Sequence, residues 1–142
     1  MKLKFDFAQT LASIDKVAAK QSRAVSRAIK VAGMEFSDKL QNALSRGNSR
    51  YRKYQRRGTV HWSSRPNRSP NPDTGWLKRS VSLSRRRTQG SVFVVVSAKY
   101  AKALEFGTRD KRIAPRPFVR PLAKALRPKF RRDLIKALNR VR

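Results

Sequence analysis

One apolar stripe through the N-terminal part of the chain decides most of what it can become. Phe7, Leu11, Ile14, Ala18, Val25, Ala28 or Ile29, Ala32, Phe36, Leu40 and Ala43 follow steps of three and four, with Gln21 the one polar gap. Such steps line one face of an α-helix, and Ala, Lys, Gln and Arg, all good helix formers, fill the other faces. Asp6 or Thr10 suits the N-terminal cap, and Gly47-Asn48 suits the stop. The pattern predicts one helix from Phe7 to Ser45, with Gly33 a place for a bend. That length exceeds an ordinary globular helix, so packing on neighbouring subunits is expected. Ahead of it, Leu3, Phe5 and Phe7 alternate with Lys2, Lys4 and Asp6, the period of a short half-buried strand.

The segment that follows differs in kind. From Lys39 to Pro72 every charged residue is basic: Lys39, Arg46, Arg50, Arg52, Lys53, Arg56, Arg57, Arg65 and Arg68. Tyr51, Tyr54, His61 and Trp62 are interleaved among them. Pro66, Pro70 and Pro72 interrupt any long element, so residues 46–73 read as a flexible basic loop, with Gly58 to Ser63 at most one strand of a loose hairpin. The whole chain of 142 residues has a formal charge of +28. Self-repulsion on that scale destabilises a compact state unless counter-charge is near. A polyanion or the acidic face of a partner protein can supply it, and nucleic acid is the default because each neutralised phosphate releases counterions.

Order returns after Asp73. Trp76 to Arg79 reads as a single helical turn, with Trp76 expected to cover the edge of the sheet core. Val81–Arg85 and Val92–Ser97 read as two strands of a hairpin, joined by a polar turn that carries Arg85, Arg86 and Arg87. The unbroken apolar run of the second strand predicts cover on both faces. Tyr100 to Phe106 reads as a short helix closed by Gly107, and Phe118 to Leu138 as a final helix with apolar residues every fourth position. Pro128 is expected to kink that helix or divide it. The chain is thus expected to form a single α+β domain over residues 1–142, a long N-terminal helix and a C-terminal helix packed on a small antiparallel sheet, with a long basic loop.

The inventory for catalysis is nearly empty. His61 is the sole histidine, the eight acids stand singly, and there is no cysteine, no glycine-rich phosphate loop and no nucleophile elbow. No catalytic residue, metal ligand or cofactor site is therefore assigned, and a nuclease is disfavoured. No apolar run reaches the length of a membrane span, and the N-terminus lacks the apolar core of a secretory signal, so a soluble intracellular product is expected. His61 is expected to stack within the loop, Glu105 to pair with a nearby arginine, and Phe118 to plug the core. In the basic loop, Arg46, Arg50, Arg52, Lys53, Arg56, Arg57, Arg65 and Arg68 are candidates for phosphate contact, with Tyr51, Tyr54 and Trp62 for stacking. The bland alternative is a solvated or partner-bound loop whose aromatics pack on the next subunit. No sequence-reading helix is visible, so such binding would be non-specific.

Three ordered elements carry a resemblance. Pro72-Asp73-Thr74-Gly75-Trp76-Leu77-Lys78-Arg79-Ser80-Val81 resembles P-x-x-T-G-x-L-x-x-S-hydrophobic, with its proline one place nearer the threonine. Tyr100 to Thr108 resembles Y-A-x-x-hydrophobic-E-[FY]-G-T, and Ala114 to Leu122 resembles P-x-P-F-hydrophobic-R-P-A, with Leu122 in place of the final alanine. Together they resemble the minor tail component family of long-tailed bacteriophages, often called tail-completion or neck proteins. The resemblance implies a virion protein of the tail or neck, present in the host cytoplasm during assembly. It implies a ring of this same chain, hexameric like the tail tube, next to tail-tube, terminator or connector proteins and near the genomic DNA. It also implies that Thr74, Gly75, Leu77, Ser80, Tyr100, Glu105, Gly107, Pro117, Phe118 and Pro121 serve fold and interface. The basic loop is longer and more basic than the family leads one to expect. A standalone, non-specific nucleic-acid-binding protein is the rival reading.

Overall fold

The computed structural model describes residues 7–47, 50–85 and 92–140, with side chains from Asp15 onward and that of Arg85 apart. The strand expected at Leu3–Phe7 and the cationic tip Arg85–Arg87 fall, but for the backbones of Phe7 and Arg85, outside the described residues.

Helix α1 spans Phe7–Ser45, as the stripe predicts. At about 1.5 Å per residue it is roughly 58 Å long. Asp15 to Lys20 are all exposed, while Leu40 and Leu44 are fully buried with Phe36 packed beside them. Gly33 sits within the continuous helix, and its role is close approach. A Cβ there would lie 2.7 Å from Val92 Cγ1 and 3.2 Å from Leu83 Cδ1, so only glycine lets the helix lie this near the sheet.

That sheet is a hairpin of β3 (Val81–Arg85) and β4 (Val92–Val96), antiparallel with Val81 opposite Val96 and Leu83 opposite Val94. The expectation of cover on both faces fails here. Val92, Val94 and Val96 turn toward the helices, whereas Phe93 and Val95 are exposed on the opposite face. An all-apolar run hides the alternation of a strand whose second face is exposed among the described residues.

A second two-stranded sheet lies inside the segment read as a loop: β1 (Lys53–Arg56) pairs antiparallel with β2 (Thr59–Trp62). The observed architecture is therefore α+β, with long terminal helices flanking two small antiparallel sheets. Two short helices, α2 (Trp76–Arg79) and α3 (Ala101–Phe106), connect the parts. The final helix α4 spans Val119–Asn139 and runs through Pro128 undivided. Proline removes one donor from the ladder, but α4 is held on both sides of it. Leu122 and Leu126 pack inward before Pro128, and Lys129 after it reaches Glu35 of α1 at 2.5 Å and Asp133 at 3.0 Å. Lys129, and then Lys39 one turn along α1, hold the Glu35 carboxyl below its ordinary range. The core where these elements meet joins Leu40, Leu44, Val81, Ala98, Ala101 and Phe118.

Candidate nucleic-acid interface

The β1–β2 hairpin forms because the sequence supplies a two-residue turn at Arg57-Gly58. Both residues have positive φ, 50° and 76°, the sign that matches the right-handed twist of the flanking strands. Beyond the strands, the Tyr51 N–H donates to the Ser63 carbonyl at 3.0 Å and the Ser63 N–H to the Arg52 carbonyl at 2.9 Å, which extends the ladder. Tyr54 and His61 face each other across it, stacked with centroids 5.5 Å apart, so the histidine is a stacking residue as expected.

The hairpin and its flank gather Arg50, Tyr51, Arg52, Lys53, Tyr54, Arg56, Arg57 and Trp62, all of them exposed. Cations and rings are already paired: the Arg50 guanidinium lies 5.9 Å from the Trp62 ring centre and that of Arg52 lies 5.4 Å from Tyr51. Arg56 is engaged differently, 2.6 Å from Asp73, whose other oxygen is 3.1 Å from His61 Nδ1. The first acid after the acid-free run thus draws one of its arginines back onto the protein. The remaining candidates sit elsewhere. Arg46 follows the end of α1, and Arg65 and Arg68 flank a turn pinned by the Asn67 N–H on the Pro115 carbonyl at 2.7 Å.

The residues of the three sequence elements hold the chain together. Gly75 has φ of 72° just before α2, and the Thr74 carbonyl accepts from Arg79 at 3.0 Å. Ser80 is buried and its hydroxyl donates to the Leu77 carbonyl at 2.7 Å, while Leu77 packs against the core. Trp76 corrects the expectation placed on it: it is 55% exposed and does not cover the sheet core. Tyr100 directly precedes α3, and Gly107 after α3 has φ 77° and ψ 177°, a region open essentially to glycine alone. Pro117 precedes the buried Phe118, and Pro121 lies in the first turn of α4, where a missing N–H costs nothing.

Glu105 ties the second element to the third. Its carboxylate accepts from the backbone N–H groups of Phe118 at 2.8 Å, Val119 at 3.1 Å and Arg120 at 3.0 Å, the unsatisfied donors at the start of α4. Arg120 adds its Nε at 3.1 Å and donates from Nη2 to the Glu105 carbonyl at 2.9 Å, while its guanidinium lies 4.7 Å from the Phe106 ring centre. Burial pushes this carboxyl up, but the three backbone donors and Arg120 outweigh it and hold it below its ordinary value. Glu105 is a helix cap supplied from a distance, and the expected arginine partner is Arg120.

Sequence reasoning did not foresee that Tyr54, Trp62, Trp76 and Tyr100 border one cleft. They come from separate segments, and no spacing in the sequence marks them. Among the described residues, no group of three or more histidine or acidic side chains is placed to hold a metal ion, and no helix is long and apolar enough to cross a membrane.

Comparison with known families places this geometry. The family HK97-gp10_like, described as "Bacteriophage HK97-gp10, putative tail-component", matches residues 8–107. The match takes in α1, both hairpins and α3, including Glu105, and ends before α4. No curated protein and no solved structure matches the chain.

Proposed function

The chain belongs to the HK97-gp10-like family of bacteriophage tail components, and we propose that it works as one subunit of a ring that completes the tail or joins it to the head. Membership makes it a structural, non-catalytic part of the phage tail, with other tail components for neighbours. The ring is a closed assembly of this chain at the tail's six-fold symmetry, and its basic hairpin segment meets the DNA path through phosphates, without sequence preference.

The observation that carries this reading is the exposed run of cations from Arg50 to Arg57 on a member of a tail family. Assembly with further copies is supported by exposed apolar side chains: Val17, Val31 and Met34 along α1, and Val95 on β4. Duplex titrations at several salt concentrations test the DNA contact. Affinity should be alike for unrelated duplexes, with a log–log salt slope near about −0.9 for each phosphate neutralised. Changing Arg50, Arg52, Lys53, Arg56 and Arg57 to Ser should flatten that slope. Arg56 should contribute least, because Asp73 already holds it. An unchanged slope in the variant removes the hairpin from the DNA path.

A further inference from the structure

A cleft of about 380 Å³ opens between the β1–β2 hairpin and the turn that leads into α2. Four aromatic rings border it, each far from buried: Tyr54 is 39% exposed, Trp62 38%, Trp76 55% and Tyr100 43%. So much uncovered aromatic surface around one concavity is the composition of a binding site. Its charge is lopsided. Asp73 is the acid in the lining; Arg56 holds one of its oxygens at 2.6 Å, and the other lies 3.1 Å from His61 Nδ1 without a hydrogen bond among the described residues. Arg116 and Lys78 also line the cleft, and among the described residues neither has a carboxylate within ion-pair distance. Arg116 is nevertheless fixed in place, its Nε donating to the Ser64 carbonyl at 3.2 Å and its Nη1 reaching the Ala114 carbonyl at 3.4 Å. Ser64 itself lines the cleft and is 1% exposed, and among the described residues its hydroxyl has no hydrogen-bond partner.

We propose that this cleft receives an extended acidic segment of another protein, a carboxylate meeting Lys78 and Arg116 and an apolar side chain lying among Trp62, Trp76 and Tyr100. Two cations, Arg116 held by backbone carbonyls and Lys78 exposed at the rim, call for an anionic ligand rich in acceptors. The rings call for apolar side chains more than for nucleobases. Base stacking needs open ring faces, and here His61 covers one face of Tyr54 while Arg50 lies over Trp62. A cleft of this size admits a few side chains and excludes a duplex, whose phosphates stay on the outer surface. An acidic partner also supplies the counter-charge that a chain of +28 requires. That the segment belongs to a neighbouring tail protein rests on the proposed function; the chemistry of the cleft does not.

The chain contains two tryptophans, Trp62 and Trp76, and both line the cleft, so tryptophan emission, excited selectively over tyrosine, reports on it. The probe is a short tryptophan-free peptide alternating Glu and Leu, with a Gln-for-Glu peptide and an oligothymidylate strand as competitors. The Glu peptide should change the emission saturably, and the Gln peptide should bind at least about tenfold more weakly, as loss of a charge-assisted contact implies. A Lys78→Gln/Arg116→Gln variant should lose about tenfold in affinity. Lys16→Gln/Lys20→Gln, which lowers the net charge equally on an exposed stretch of α1, should lose almost nothing. Trp76→Ala, at a site too exposed to matter for folding, should weaken the peptide in calorimetry. Equal losses in the two charge variants would mean diffuse attraction and overturn the proposal. So would saturation by the oligothymidylate in place of the peptide, or an emission that the Glu peptide leaves unchanged. The duplex titration reads the hairpin cations and this one reads Lys78 and Arg116, so either result can fail without the other.

Discussion

Glu105 and Asp73 are both lone acids in basic surroundings, and the sites around them are opposites. At Glu105 the chain satisfies itself: three backbone N–H groups and Arg120 converge on one buried carboxylate, and Phe118 closes the core beside it. At Asp73 the chain stops short. The acid draws in Arg56 and His61, yet four aromatic rings and two cations stay at least partly exposed around it. The first region is finished within one subunit. The second is left open within one subunit, and the proposed acidic segment would complete it.

The contrast can be broken by substitution, most strongly in the closed region. Phe118→Ala opens a cavity in the core and should cost about 3–5 kcal/mol in thermal or denaturant unfolding. Glu105→Ala comes next. It strands three donors at the start of α4 and leaves Arg120 without its carboxylate, which should cost about 3 kcal/mol. Glu105→Gln keeps an acceptor and should cost less. The same carboxylate should give the fold an acid limit. Its folded value lies below the unfolded one of about 4.3, so its contribution is complete above that pH and disappears as pH falls through the folded value. Melts from neutral pH down to about pH 3 should therefore fall for the wild type, and the part of that fall due to this group should be missing in Glu105→Gln.

Smaller effects sharpen the comparison. Gly33→Ala gains helix propensity but drives a methyl to 2.7 Å from Val92 Cγ1, and a β-branched side chain has little room to yield. The balance should be a net loss of about 1 kcal/mol, whereas a gain in melting temperature would mean that α1 does not press on β4 there. Smallest of all, Trp76→Ala should change stability by no more than about 0.5 kcal/mol, because the ring covers no core.

How much of this was legible in the sequence follows the same division. The span of α1, the single turn at Trp76–Arg79, the β3–β4 hairpin and the run of α4 could be read because each is written in local periodicity or a local stop. Phe118 could be placed in the core. The Glu105 cap could be read only as a salt bridge to some arginine, since nothing local links position 105 to the N–H groups of 118–120. The β1–β2 hairpin was nearly invisible because its strands are four residues each and polar, with only the Arg57-Gly58 turn to mark it. The outward face of β4 was misread for the opposite reason: Val92–Val96 is apolar at every position, so no alternation shows which side is covered. Trp76 is expected to cover the edge of the sheet core, but a residue's type says what it can cover and not whether anything lies beneath it.

The central claim is that the Glu105 junction holds the fold while the aromatic, cationic cleft meets a partner. Its most direct test pairs a melt with a count of completed tails for Trp76→Ala/Lys78→Gln, a double variant confined to exposed positions of the cleft. The account predicts a melting temperature equal to that of the wild type and a clear fall in completed tails. A full yield of tails at an unchanged melting temperature would contradict it.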